Sequence, residues 1–219
     1  MDNFAVARQN MVDNQIRANK VTDPALIEAF SSIPREDFVP PDKEAVAYVD
    51  EDLPIGEGRF LIEPMVMSRL LQEANINEAD IVLDVGCCTG YSTAIISRLA
   101  ASVIGIDERQ SHIDTANKNL AKLEIDNAGV ILRDLVDGYS EQMPYSLIII
   151  NGAVQFIPEN LFDQLIDGGR LVAIVKERGE KLGKAKIYSK LTNSISSRFL
   201  FDAGTPSNRS FSKAHGFQF

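Results

Sequence analysis

The sequence predicts an α/β fold, a mostly parallel central sheet with helices on both faces. Three observations carry this. From about residue 76 onward, apolar runs of strand length alternate with segments of helical period, the pattern of a parallel sheet. Ile81 to Val85 is a continuous apolar run broken only by Asp84, as expected for a strand buried on both faces. That strand runs straight into Gly86-Cys87-Cys88-Thr89-Gly90-Tyr91, a glycine-containing turn that opens a helix.

Taken in order, residues 4 to 18 read as a helix with Ala7, Met11 and Gln15/Ile16 along one side. Asp23-Pro24 starts a second helix, a cap residue followed by proline in the first turn, with Leu26, Ile27, Phe30 and Ile33 turned inward. Phe38-Val39-Pro40-Pro41 is extended, because proline disfavours helix before it. Leu53 to Gly58 is a loop or edge strand with two glycines, and Pro64 opens a helix to about Asn75. The strand at Ile81 to Val85 is followed by a helix from Tyr91 to Leu99 and a strand from Ser102 to Ile106. A helix from Ser111 to Leu123 precedes short strands at Gly129 to Leu132 and Leu147 to Ile150. Pro158 begins a helix to Ile166, and Arg170 to Val175 is another buried strand. Late strands near Ala185 to Leu191 and Ser197 to Phe201 close the chain. Lys181 to Lys190, with four lysines among alternating apolar residues, reads as an exposed strand face.

At 219 residues with 45% hydrophobic content, the chain fits one domain, with N-terminal helices and an entry loop over 1–75 and a core over 76–219. No stretch approaches the ~20 apolar residues that cross a bilayer, and Met1 to Phe4 lacks a signal-peptide pattern. The expected compartment is the cytoplasm, with no membrane partner. Twenty-two Lys plus Arg against 31 Asp plus Glu give a net charge of −9, which argues against nucleic acid as a partner. Cys87 and Cys88 are adjacent, where an unstrained disulfide is rare. Together with two distant histidines they give no zinc spacing, so no metal is expected.

The turn at Gly86 to Gly90 lies where doubly wound folds bind ligands, outside the carboxyl ends of the strands. It lacks the full G-x-G-x-x-G pattern of dinucleotide sites. Asp84 would repel a pyrophosphate but can attract, directly or through water, the cationic amino-acid end of S-adenosylmethionine. Asp107, ending the next strand about 20 residues on, suits ribose hydroxyls in either cofactor class. Asp134 follows the next strand, where the adenine end should lie. Asn151-Gly152-Ala153 is not the Asn-Pro-Pro-aromatic sequence of enzymes that methylate amino groups of nucleobases or glutamine. His112, beside charged residues on a helix, reads as solvated, and His215 as a tail residue.

Beyond these motifs, Ile33 to Pro40, Ala47 to Gly58 with Pro64, Met143-Pro144-Tyr145 and Gln164 to Val172 resemble the protein-L-isoaspartate O-methyltransferase family. The likeness runs from about residue 8 to the C-terminus. It implies a Rossmann-like class I S-adenosylmethionine-dependent methyltransferase fold, with a family-specific order of the last strands. The implied activity is methylation of the α-carboxylate of isoaspartyl residues in damaged protein or peptide. By match of position, the implied cofactor contacts are Asp84, Gly86, Cys87, Thr89, Gly90, Tyr91, Asp107, Asp134 and Leu135, with Cys88 in place of the turn's middle glycine.

The entry loop departs from the family's Gly-Gln-Thr-x-Ser-Gln-Pro. It reads Gly58-Arg59-Phe60-Leu61-Ile62-Glu63-Pro64, so Ile62 stands at the serine and Glu63 at the uncharged residue after it. Arg59, Ile62 and Glu63 are thus the substrate-facing candidates, and no catalytic residue is assigned. Besides the isoaspartyl enzyme, two other functions compete: the same fold with a small anionic acceptor held by Arg59, and a cofactor-binding regulatory protein with little turnover.

Overall fold

The computed structural model describes residues 3–192 and 194–212, so the expectation for His215 lies outside the described residues. Its centre is a seven-stranded sheet in the order β5-β4-β3-β6-β7-β8-β9. The strands are β3 (Ile81–Val85), β4 (Ser102–Asp107), β5 (Ala128–Leu132), β6 (Tyr145–Val154), β7 (Leu165–Val175), β8 (Gly183–Leu191) and β9 (Ser194–Ala203). The first five pair in parallel, while β8 and β9 add to β7 as an antiparallel meander. The strand order reverses beside β3: β4 and β5 lie to one side and β6 to the other. A ligand crevice is expected at that switch point.

Side chains alternate along these strands, so each face has its own core. Val82, Leu147, Ile149, Val172 and Ile174 join one cluster; Leu83, Val85, Ile148, Ile150 and Leu171 join the other. The first face carries α1 (Asn3–Met11), α2 (Pro24–Ser32), α3 (Pro64–Ala74), α4 (Tyr91–Ser97) and α5 (Gln110–Lys122), which contribute Met11, Phe30, Leu70, Ile95 and Leu120 among others to that cluster. The second is covered by α6 (Glu159–Asp163), the loop holding Leu135 and the segment ending in Phe211. Helices therefore lie on both faces, but unequally, with five on the first and α6 on the second. The expected helix to Ile166 is cut short because β7 begins at Leu165.

Local signals act as the sequence suggests at α2, where the Asp23 carboxylate accepts from the Ala25 and Leu26 amides and Pro24 fills the first turn. The first helix is less regular than expected. It passes at Val12 into a π-helical turn through Ile16 and then a 3₁₀ turn through Asn19. Phe38 ends a 3₁₀ turn from Arg35, and only Val39 and Pro40 are extended. The lysine-rich strand, β8, lies between β7 and β9 in the sheet. Lys190 reaches the carbonyls of Phe162 and Leu165, at 2.9 and 2.8 Å, and so caps the end of α6.

What positions the entry loop is Arg35, fully buried. Its guanidinium donates to the Ala47 carbonyl at 2.7 Å and the Ile62 carbonyl at 2.8 Å. It also stacks 4.9 Å from the centroid of the Tyr91 ring, which in turn packs edge-on against Phe30 and Phe38. These contacts tie the N-terminal segment, the loop and the start of α4 into one unit.

Candidate active site

The segment after residue 52 folds as a hairpin, β1 (Leu53–Gly56) with β2 (Arg59–Leu61), laid across the carboxyl ends of β3 and β4. Gly56, Glu57 and Gly58 all have positive φ, at 98°, 51° and 74°, which turns the chain tightly and aims Arg59 inward. Arg59 is 7% exposed. Its Nη2 donates to the Gly86 carbonyl at 2.9 Å and lies 3.3 Å from Asp107 Oδ2. Its Nη1 is buried with no hydrogen-bond partner.

Asp107 is fully buried, and both oxygens are engaged. Oδ2 accepts from the Cys88 amide at 3.1 Å and Oδ1 from the Arg109 amide at 3.1 Å. His112 Nδ1 lies 3.4 Å from Oδ1. Burial alone would raise the Asp107 carboxyl, but His112 and Arg59 outweigh it and hold it below the usual range. His112 is thus 5% exposed and paired, not solvated: the first turn of α5 packs its side chain over the end of β4. Cys88, Asp107 and His112 form a group with metal-ligand chemistry among the described residues. The Arg59 guanidinium already balances the carboxylate there, and burial pushes the Cys88 thiol up to about 12, so a thiolate ligand is disfavoured.

The other motif residues divide into those at the crevice and those behind it. Gly86 (φ 72°), Cys88 and the Leu135 side chain border it, with Ile62, which is 3% exposed. Cys88 holds a positive φ of 54° without being glycine, and its thiol donates to the Gly86 carbonyl at 3.3 Å. Cys87 and Cys88 are free and buried. Gly90 is a cofactor contact by the family resemblance; the structure gives it another task. A Cβ there would stand 2.9 Å from Ala116 Cβ, so Gly90 lets α4 and α5 close on each other. Cys87 packs toward Gly105, Thr89 donates its hydroxyl to the Phe38 carbonyl at 2.6 Å, and Tyr91 is core. Asp134 is exposed on the loop after β5.

Asp84 does not reach the crevice. It is fully buried, taking Ser92 Oγ and Thr93 Oγ1 at 2.7 Å each and Asn151 Nδ2 at 2.6 Å. Burial raises its carboxyl while those three donors oppose the shift. It fixes the strand-to-helix turn rather than presenting charge to a ligand. Residues that the motif did not suggest complete the crevice. The Asn208 amide nitrogen donates to the Asn151 carbonyl at 3.3 Å, and the backbone around it clasps Ala153. Thr205 borders the crevice with a buried, unpartnered hydroxyl. Only the contact itself, 57 residues apart for Asn208 and Asn151, reveals this C-terminal wall.

Glu63 precedes α3 at the mouth of the loop, and its amide donates to Asp52 Oδ1 at 3.1 Å. Burial, then the neighbouring Asp52, Asp50 and Glu51, raise its carboxyl to about 7. A folded-state value above the unfolded 4.5 means a contribution to stability that is complete below about pH 4.5 and lost as pH rises through about 7. Melting curves of the protein and its Glu63→Gln variant should therefore coincide near pH 4.5 and separate by pH 7.5, with the variant the more stable. A gap that stays constant over this range would show that Glu63 ionises normally.

The comparisons decide the family. The family model described as protein-L-isoaspartate(D-aspartate) O-methyltransferase matches residues 6–199. The chain belongs to this family. A protein-L-isoaspartate O-methyltransferase of Methanoculleus marisnigri is 39% identical over 78% of this chain and 78% of its own length. One from Methanospirillum hungatei is 36% identical over 81% and 82%. Among solved structures, a protein-L-isoaspartate O-methyltransferase superposes with a TM-score of 0.80 at 23% identity, covering 92% of this chain and 65% of that one. A Plasmodium falciparum member solved with S-adenosyl-L-homocysteine gives 0.76 at 18% identity, covering 94% and 98%. The fold is the Rossmann-like methyltransferase fold, and the family's enzymes depend on S-adenosylmethionine.

The residues present fit such a cofactor in kind: an acid ends β4, and a positive-φ glycine stands at the switch point beside β3. The space itself is taken. A Cβ placed on Gly86 would stand 2.6 Å from Arg59 Nη2, and the crevice keeps a free volume of about 20 Å³, room for about one water.

Proposed function

We propose that this protein methylates the carboxylate of isoaspartyl residues in protein or peptide, using S-adenosylmethionine. One observation carries the reading beyond family membership. The entry segment, whose sequence distinguishes this family from other methyltransferases, lies over the sheet's switch point with Ile62 at the crevice. Asp107 is the residue to hold ribose hydroxyls, and the Gly86 backbone gives close approach beside it. When bound, the cofactor supplies a methyl group on a sulfonium, and an ionised carboxylate is already a nucleophile. The chain's work is then alignment and exclusion of water, which the buried lining of Ile62, Leu135 and Cys88 suits.

The small-acceptor alternative depends on Arg59 as a free cation. Its charge is matched by Asp107, which ranks that reading second. The test is transfer of labelled methyl to three acceptors: an isoaspartyl peptide, the same peptide with normal aspartate, and a small dicarboxylate. Label confined to the isoaspartyl peptide is the expected result. Label on the dicarboxylate alone would favour the second reading, and none on any acceptor would favour a binding protein.

A further inference from the structure

We infer that Arg59 is a built-in plug of the cofactor crevice, which must swing out before a nucleoside ligand can enter. The inference rests on the cofactor reading above and adds a step to it. Arg59 occupies both places that a ribosyl ligand needs. Its Nη2 lies 3.3 Å from Asp107 Oδ2, the carboxylate suited to a ribose diol, and it fills the hollow in front of Gly86 by donating to that residue's carbonyl at 2.9 Å. A guanidinium and a diol cannot both have that carboxylate edge, so Arg59 competes directly with the ligand.

The plug is held by a strap. At the hairpin tip Glu57 accepts from Ser111 Oγ at 2.6 Å and lies 3.5 Å from Arg109 Nε, so the hairpin is fastened to the start of α5 on the far side of the crevice. These outer bonds are exposed and weak. The closed state is also imperfect inside, since Arg59 Nη1 is buried without a partner. Three consecutive positive-φ residues, Gly56 to Gly58, form the pivot, and a Cβ on either glycine would meet nothing within 4 Å, so the tip has room to move. An arginine that a neighbouring polar ligand can replace, on a hairpin with a weak outer latch, makes a gate rather than a permanent wall.

Apparent affinity falls by the fraction of molecules that are open. Arg59→Ala, which empties the hollow, should therefore bind S-adenosyl-L-homocysteine about tenfold or more tighter than the unmodified protein by calorimetry. In stopped-flow mixing, the unmodified protein should show a binding rate that levels off with ligand concentration, limited by opening. The variant's rate should rise linearly. Glu57→Ala, an exposed change that leaves the core untouched, should raise the plateau severalfold and guards against misfolding in the first variant. Equal or weaker binding by a folded Arg59→Ala protein, with no plateau in the unmodified one, would overturn the plug. Binding by neither protein at millimolar ligand would overturn the cofactor reading itself, and the plug with it.

Discussion

Asp84→Ala is expected to remove about 3 kcal/mol or more of folding stability, since three donors to a charged group lose their acceptor and bonds of that kind contribute about 1.5–3 kcal/mol each, not additively. Against a typical total of about 5–15 kcal/mol, such a loss shifts the denaturation midpoint strongly. The partners are specific: Ser92 and Thr93 on the first turn of α4, and Asn151 on β6. Together they lock the turn between β3 and α4, in which Gly86 and Cys88 hold positive φ, to the neighbouring strand. Asp84→Asn keeps the shape: with its amide nitrogen toward the two hydroxyls, which can rotate to accept, its oxygen still accepts from Asn151, and the charge is what is lost. It should cost clearly less than alanine. Urea denaturation of both variants measures the difference. A loss below about 1 kcal/mol for alanine, the effect of an ordinary surface change, would show that the buried carboxylate is not a structural hub.

The second large effect concerns the acceptor side. Where the family's loop has a serine, Ile62 offers no hydroxyl to a substrate carboxylate, and one hydrogen bond to a charged group is worth about 1.5–3 kcal/mol. If that bond acts in the transition state, its absence slows the reaction roughly ten- to 150-fold. Glu63, with its carboxyl raised to about 7, adds repulsion against an incoming carboxylate increasingly as pH rises through that value. Ile62→Ser with Glu63→Gln is therefore expected to raise kcat/KM for an isoaspartyl peptide by ten-fold or more at pH 8. The gain should be smaller at pH 6, where Glu63 is mostly neutral already. Ile62 is buried, so removing its side chain leaves a void; a melting curve must accompany the kinetics. No gain in a folded double variant would mean that another donor serves the carboxylate.

Much of this molecule was legible in its sequence, and the division has a physical reason. The core strands, the proline-started helices and the turn at Gly86 are encoded by local period and local turn chemistry, so single segments reveal them. What escaped is the pairing of distant polar groups. Asp84 looks like a ligand-facing acid until Asn151, 67 residues away, is seen to donate to it. His112 sits among charged neighbours in sequence, yet the packing of α5 onto β4 buries it against Asp107. Arg59 reads as a substrate-facing cation from its place in the loop. Only the fold shows that the hairpin turns it inward onto the Asp107 carboxylate. Gly90 reads as a turn glycine at the cofactor, whereas the contact that requires glycine there is Ala116 of α5.

The central claim is methyl transfer to a carboxylate, and the chemical nature of the product tests it most directly. Transfer of a labelled methyl from S-adenosylmethionine to an isoaspartyl peptide makes a methyl ester, which mild base hydrolyses to methanol. The account predicts that the unmodified protein labels the peptide slowly and that the label leaves as volatile methanol after base. Label that survives base treatment would place the methyl on nitrogen or carbon and contradict the account.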